Sequence, residues 1–241
     1  DCFSTQHWNE KLAQDDKTIS RRSATDAGFA ATTEDWVLSG PHFYLANPFN
    51  KTPRKVCTGN SHYDNIDLVT LPDDYLPRTN YRPMADKVEY LRRTPRVSWV
   101  EECESQAKPV TVYFRLAFRG MIVSSSERTL NGSLIPAGAG HIHGVQSNSF
   151  KSSHELVLAG SITSSLVADW YIKTIGRANL HGTWLQLPKI EWTAKLSSRY
   201  LTLNCLTTHY APLWNDVYDV AFTEQQWSQS SNPRLPQDRK S

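Results

Sequence analysis

The segment AGAGHIHG, residues 137–144, holds the residues whose spacing comes nearest to known chemical motifs. His141 and His143 are two residues apart, so on a strand both imidazoles would face one side, as a pair of metal ligands requires. No third ligand follows at a recognisable spacing, so a chance His-x-His pair and a stand-alone metal enzyme both remain open. Gly138 and Gly140 match the start of a glycine-rich nucleotide loop, but His143 stands where the third glycine belongs. We therefore predict no nucleotide loop here.

A second group of side chains has the chemistry of a nucleic-acid contact. Arginine and asparagine can make two-pronged hydrogen bonds to guanine and adenine edges, whereas lysine more often neutralises a phosphate. The candidate contacts lie in a strand, in the turn after a helix and in a proline-rich segment, and they are Arg115, Arg119, Arg177, Asn179, His181, Lys51, Arg54 and Lys55. The alternatives are an exposed basic loop for the lysine cluster and pairing with Glu127 for the strand arginines.

The turn at 177–181 must be positioned by the helix that precedes it, which we predict over residues 153–175. Ser152 followed by Glu155 three residues later is typical of a capping box at a helix start. Gly176 supplies the left-handed conformation that ends a helix. The sequence therefore predicts a helix with a defined beginning and end, followed by a polar turn.

The face of this helix is predicted from the spacing of its apolar residues. Positions three and four apart lie on one side of a helix, and here they predict a core-facing stripe of Ala159, Ile162, Leu166 and Trp170. Asp169 and Lys173 are four apart in the favourable order, which predicts a surface ion pair.

Residues 110–119 give the strongest strand signal of the chain. Apolar and polar residues alternate with period two, which is typical of a half-buried strand. Arg115 and Arg119 would share the face opposite the apolar residues, about 13 Å apart at the usual strand rise, a spacing suited to successive phosphates. A turn at residues 124–126 and a returning strand within 128–136 complete a predicted hairpin.

Composition restricts the possible function classes. The chain has 241 residues, 39% of them hydrophobic, which is enough for a folded core, and a formal charge of +2. Near neutrality argues against a purely electrostatic nucleic-acid binder. Four scattered cysteines without zinc spacing and the absence of a long apolar run predict a cytoplasmic protein with no membrane contact. Because the sequence begins at Asp1, we interpret it as a piece of a longer polypeptide.

Six runs that together touch most of residues 36–220 carry a resemblance, and they are GPHFYLANPFNKTPR, NSHYDNIDL, LPDDYLPRTNYRP, YFRLAFRGMIVSSSERTLNGSLIPAG, ADWYIKTIGRANLHGTWLQLPKI and LTLNCLTTHYAPLW. Their sequence resembles one family, the large adenine-specific DNA methylases of fused restriction-modification systems and of phage-defence systems such as BREX and DISARM. Ile190 replaces the final proline of the family's LPxP-type strand. The resemblance is to the target-recognition region, downstream of the catalytic domain.

The family's catalytic signature is missing from the chain. Asn47-Pro48-Phe49-Asn50 resembles the Asn-Pro-Pro-Tyr motif that grips the flipped adenine, but the second proline and the stacking aromatic are absent. The resemblance therefore implies no catalytic residue here and no cofactor bound by this chain. S-adenosylmethionine is implied for the parent enzyme, with double-stranded DNA, a methyltransferase catalytic domain or subunit, and other defence-system subunits as partners.

These expectations combine into one organisation. We predict an α+β fold of short antiparallel strands packed on a central helix, with long proline-rich loop segments. The predicted divisions are a connector at 1–35, a proline- and aromatic-rich segment at 36–108, a target-recognition domain at 109–222 and a mobile tail at 223–241. The rival prediction is a protein-interaction or scaffold subunit of a defence complex that does not read DNA.

Overall fold

The computed structural model describes residues 2–22, 28–45 and 47–226. Within these ranges the α-helices are α1 (Glu10–Asp15), α2 (Lys87–Arg93), α3 (Ser153–Thr163), α4 (Leu166–Ile175), α5 (Ala194–Asn204) and α6 (Ala211–Asp216). The strands are β1 (Cys2–Thr5), β2 (Ile19–Arg21), β3 (Gly28–Phe29), β4 (Val37–Leu38), β5 (Lys51–Pro53), β6 (Tyr63–Asn65), β7 (Arg78–Thr79), β8 (Tyr81–Pro83), β9 (Arg115–Arg119), β10 (Gly132–Ile135), β11 (Gly140–His141) and β12 (Val145–Phe150). Most of the predicted tail at 223–241 lies outside the described residues.

The central sheet has four antiparallel strands in the order β1-β12-β9-β10. The other strands form small two-stranded pairs, all antiparallel except β11 with β4. Helix α3 packs against β9, β10 and β12, and α5 packs against α3. The predicted α+β class of short antiparallel strands is confirmed.

The predicted hairpin of the central sheet is confirmed in its returning half. Strand β10 pairs with β9 in antiparallel register, Leu134 opposite Leu116. The outgoing half is shorter than predicted, because Val110–Val112 forms a 3-10 turn and the strand begins only at Arg115. The prediction that one face of this strand meets solvent is wrong, since β9 is an inner strand and its residues 115–118 are all buried.

The predicted single helix is divided into α3 and α4 at Ser164 and Ser165. Ser165 has extended backbone angles and accepts a hydrogen bond from the amide of Ala168, which is the geometry of a new helix start. The predicted end is confirmed, because Gly176 follows α4 with φ 69°. At the start, Ser152 accepts from the amide of Glu155, as the predicted cap requires.

The division rotates the second half of the predicted apolar stripe out of the core. Leu166 and Trp170 are exposed, and the buried side of α4 consists of Ala168, Asp169 and Ile172. The prediction that Leu166 and Trp170 face the core is therefore wrong. An uninterrupted period of 3.6 residues does not hold across a break in the helix.

The predicted surface pair of Asp169 and Lys173 is also wrong. Asp169 is buried, and its Oδ1 accepts hydrogen bonds from the backbone amides of Thr129 and Leu130, each at 2.7 Å. Lys173 instead donates to the carbonyl oxygen of Ser126. Asp169 therefore ties α4 to the chain that leads into β10.

Gly160 allows α3 and α5 to approach closely. A Cβ atom at this position would overlap the ring of Tyr200 in α5, and both residues are buried. We expect Gly160→Ala to lower the free energy of unfolding by about 2 kcal/mol, because overpacking in a rigid core outweighs the better helix propensity of alanine. Urea unfolding would measure the change.

Gly182→Ala is the matched control for this substitution. An added Cβ at Gly182 meets only Leu185 at an ordinary contact distance of 3.5 Å. Equal stability of the Gly160→Ala variant and the wild-type chain would contradict this packing of α3 on α5.

Candidate nucleic-acid interface

The turn after α4 is fastened to the end of β9 as a short antiparallel extension of the sheet. Met121 and Asn179 form a β-bridge, the amide of Ile122 donates to the carbonyl of Ala178, and the amide of Leu180 donates to the carbonyl of Gly120, both at 3.0 Å. Leu180 is fully buried and anchors the segment. The sequence predicted a polar turn here, and in the structure the backbone of this turn is hydrogen-bonded to residues 120 and 122.

The three predicted contacts of this segment lie at the surface. Arg177, Asn179 and His181 are exposed, as is Ala178, whereas Leu180 is buried in the core. Within the described part of the chain, none of these three side chains makes a hydrogen bond or an ion pair. A guanidinium, an amide and an imidazole are thus presented together with their hydrogen-bonding groups available.

His181 occupies a left-handed backbone conformation at the end of this segment. Its φ is 42°, and its carbonyl oxygen accepts a hydrogen bond from the side-chain amide of Gln146 in β12 at 3.1 Å. Such a conformation is unusual for a residue other than glycine and persists only where the surroundings hold it. The bond to β12 supplies one such restraint.

Arg119 lies at the end of β9 to which this turn is bonded. It is the last residue of β9, directly before Gly120, whose carbonyl binds the turn at Leu180. Its side chain is partly exposed, and no ion pair to it is found within the described ranges. The backbone bonds of residues 120–122 place Arg119 next in the chain to the strand that binds residues 177–181. We call Arg119, Arg177, Asn179 and His181 the 119/177–181 edge.

Arg115 does not belong to this edge, and the prediction that it contacts DNA is wrong. It is fully buried, and its guanidinium donates to Nε2 of His7 at 3.1 Å and to the carbonyl oxygen of Ala139. Burial lowers the pKa of Arg115 to about 9. Because both sides of β9 are covered, a phosphate cannot reach this side chain.

His141 and His143 lie in different environments. His141 is buried, stacks on His7 with ring centroids 3.9 Å apart, and places Nε2 2.8 Å from Oγ of Ser147. His143 is exposed. The two imidazoles therefore do not face one site, and no group of three or more metal-ligating side chains occurs in the described ranges.

The distance between Ser147 Oγ and His141 Nε2 is that of a nucleophile and its base, but a substrate could not reach these two atoms. Both side chains are fully buried. Neither side chain lines the cavity bordered by Phe150, Ala159 and Leu187 or the cavity bordered by Glu34, Tyr90 and Gly138. A substrate cannot reach the pair, so we interpret it as part of the polar network that holds Arg115.

The lysine cluster predicted from the proline-rich segment lies on a separate hairpin, β5 with β6. Arg54 forms an ion pair with Asp64 at 2.7 Å across the hairpin, and the Lys51 ammonium lies 4.1 Å from the ring centre of Tyr44. Lys55 is exposed. In the described ranges no hydrogen bond joins this hairpin to residues 177–181. It forms a second basic site and is not part of the 119/177–181 edge.

Sequence reasoning missed the exposed side of α4. Leu166, Val167 and Trp170 lie on it, because the helix restarts at Ser165. The sequence did hold one signal for the helix break, the pair Ser164-Ser165 inside an apolar pattern, because serine is a preferred helix cap. A prediction of two helices would have separated Leu166 and Trp170 from the core stripe.

Comparison of the chain with models of protein families, with curated proteins and with solved structures finds no match. None of the helices in the described ranges has the length and apolar character needed to cross a bilayer.

Proposed function

We propose that this chain is the DNA target-recognition region of a site-specific adenine-N6 DNA methyltransferase in a bacterial restriction-modification or phage-defence system. Its role would be to hold duplex DNA and to present an adenine for base flipping and methylation by a catalytic domain outside this chain. The proposal rests on the resemblance of residues 36–220 to that family, together with the chemistry of one surface.

The observation that supports the proposal most is the 119/177–181 edge. It combines two guanidinium groups with an amide and an imidazole on backbone that is hydrogen-bonded to the central sheet. Sites built on sheet-anchored backbone are positioned more accurately than sites on free loops. These groups suit the mixture of phosphate contact and base reading that sequence recognition requires.

We assign different roles to the residues of this edge. Arg177 and Asn179 can each bind a base edge through two hydrogen bonds, to guanine and adenine respectively. Arg119 and His181 would contact the phosphate backbone beside them. Lys51, Arg54 and Lys55 would add a separate phosphate contact, in which Arg54 has to share its charge with Asp64.

In this proposal, the parent's catalytic domain holds S-adenosylmethionine, which supplies the methyl group, and the residues of this chain act on the DNA alone. The enzyme would work in the cytoplasm, where bacterial DNA lies. Four cysteines without disulfides are compatible with that reducing compartment.

Binding to random-sequence duplex DNA at two salt concentrations tests the proposal. We expect an affinity that falls steeply with salt, because phosphate contacts release counterions. Arg177→Ala is expected to weaken binding about tenfold, and Arg119→Ala to lower the slope of log affinity against log salt by about one. Fluorescence anisotropy of a labelled duplex would measure both.

Arg92→Ala is the matched control, because it removes the same charge elsewhere. Arg92 is exposed in α2 and bonded to Glu89. Equal weakening by Arg92→Ala and Arg177→Ala would contradict a specific edge, and no binding at low salt would reject the proposal.

One observation favours a second candidate function, a protein-interaction or scaffold subunit of a defence complex. The exposed side of α4 presents three large apolar side chains, and such patches commonly mark protein interfaces. This function requires no DNA binding by the 119/177–181 edge, so the same measurement separates the two candidates.

A further inference from the structure

Helix α4 presents an apolar face to solvent as well as a side packed on the core. Leu166, Val167 and Trp170 are 73%, 77% and 66% exposed. Trp170 follows Leu166 by four residues and Val167 by three, so its side chain adjoins both of them on one side of the helix. We call these three residues the α4 surface.

The exposure of the α4 surface follows from how the opposite side of the helix is fixed. Asp169 is buried and accepts from the amides of Thr129 and Leu130, and Ile172 is buried beside it. Turning Leu166 and Trp170 inward would break both of these bonds, carry Asp169 toward solvent and leave the amides of Thr129 and Leu130 buried without an acceptor. These bonds therefore hold the surface outward.

The charged groups near this surface favour one kind of partner. On α4 itself, the carboxylate of Asp169 is buried and the cation Lys173 lies one turn beyond it; Arg177 follows the helix end with an exposed side chain. The neighbouring turn adds the carboxylate of Glu127 and the guanidinium of Arg128, and the latter pairs with Asp169 at 3.5 Å. The border is therefore cationic overall.

We infer that the α4 surface is a docking site for an apolar helix of another protein, one flanked by carboxylates. Trp170 would fill the centre of the contact, since tryptophan is enriched among the residues that dominate binding energy. Carboxylates of the partner would face Lys173 and Arg177 and set its orientation.

Two other occupants fit the surface less well. A second copy of this chain would bring the cationic border against itself across a two-fold axis. Nucleic acid would match the cations, but Leu166 and Val167 offer neither a hydrogen bond to a base edge nor a ring for stacking. The aliphatic half of the surface therefore favours a protein partner.

The test uses two synthetic helical peptides with leucine at positions 1, 4, 5 and 8 of the repeat, one flanked by glutamate and one by lysine. We expect the whole chain to bind the glutamate peptide at least about tenfold more tightly than the lysine peptide, with affinity falling as salt rises. Trp170→Glu is expected to weaken binding of the glutamate peptide by about tenfold or more. Isothermal titration would measure these affinities, and circular dichroism would show that the variant is folded.

Val88→Glu is the matched control, because Val88 is 78% exposed on α2, away from this surface. It should leave peptide binding unchanged. Equal binding of both peptides, or an equal loss in the two variants, would overturn the inference.

Two further outcomes would overturn it in favour of another occupant. Concentration-dependent dimerisation that Trp170→Glu abolishes would assign the surface to a second copy of the chain. Loss of duplex binding in Trp170→Glu would assign it to nucleic acid. Arg177 belongs both to the border of this surface and to the 119/177–181 edge, whereas Trp170 lies outside that edge. Peptide binding and duplex binding are separate measurements, so failure of this inference is distinguished from failure of the proposed function.

Discussion

Lowering the pH from about 7 to about 5 is expected to destabilise this protein by several kcal/mol. Three histidines are buried in the fold, His7, His42 and His141. Burial lowers the pKa of each, with that of His7 well below its usual range and that of His141 at about 3. The charge of Arg115 beside them further lowers the pKa of His7 and of His141.

The direction of the effect follows from which state binds more protons. In the unfolded chain each histidine takes up a proton near pH 6.5, whereas in the folded chain it stays neutral until the pH is lower. Between those values the unfolded state binds more protons, so stability falls as the pH falls, by up to about 1.4 kcal/mol per pH unit for each histidine. Carboxylates with a lowered pKa, such as Asp16 and Glu101, add a loss only below about pH 4.5.

Urea unfolding at a series of pH values would check this expectation. His141→Gln should reduce the dependence of stability on pH between about 6.5 and 5 by about one proton, since glutamine does not titrate and can still bind Ser147. His143→Gln is the matched control, because His143 is two residues away and exposed. A stability that stays flat down to about pH 5 would show that these histidines are not buried in solution.

The second large effect is expected at Asp169. Asp169→Ala should lower the free energy of unfolding by about 3 to 5 kcal/mol, because it leaves two buried backbone amides and the Arg128 guanidinium without their acceptor. A surface pair with Lys173, as the sequence spacing suggested, would be worth at most about 0.5 kcal/mol. Chemical unfolding of the variant distinguishes the two values.

Asp169→Asn is the informative control for this substitution. Both amides bond to a single carboxylate oxygen, Oδ1, and asparagine can keep an acceptor at that position while losing the charge. We therefore expect it to cost clearly less than Asp169→Ala. Equal losses in the two variants would mean that the charge of Asp169, and not its hydrogen bonds, fixes α4.

Features governed by neighbouring residues were predictable from the sequence. The cap at Ser152 and the end at Gly176 depend on the chemistry of a few adjacent positions, and both are found. The predicted return of β10 onto β9, after residues 120–131, is found as well. Arg177, Asn179 and His181 were predicted to form an exposed polar turn, and they do lie exposed.

Features governed by distant parts of the chain were not predictable in the same way. Period two indicates two faces of a strand but not whether one of them meets water. The buried Arg115 donates a hydrogen bond to His7, which lies 108 residues earlier in the chain. The exposure of Trp170 likewise depends on Asp169 meeting Thr129, 40 residues away. Such contacts leave no local pattern in composition or spacing.

The pairing of β1 with β12 has a consequence for the time course of folding. Ser4 bonds to Asn148 across 144 residues, so the first strand of the described chain can be placed only after residue 150 has been synthesised. A long loop must close before these two strands can form their hydrogen bonds, and topologies of this kind fold slowly. During synthesis residues 2–8, with His7 and Trp8, therefore stay unpaired until β12 has followed, and an unpaired strand of this kind is exposed to misfolding.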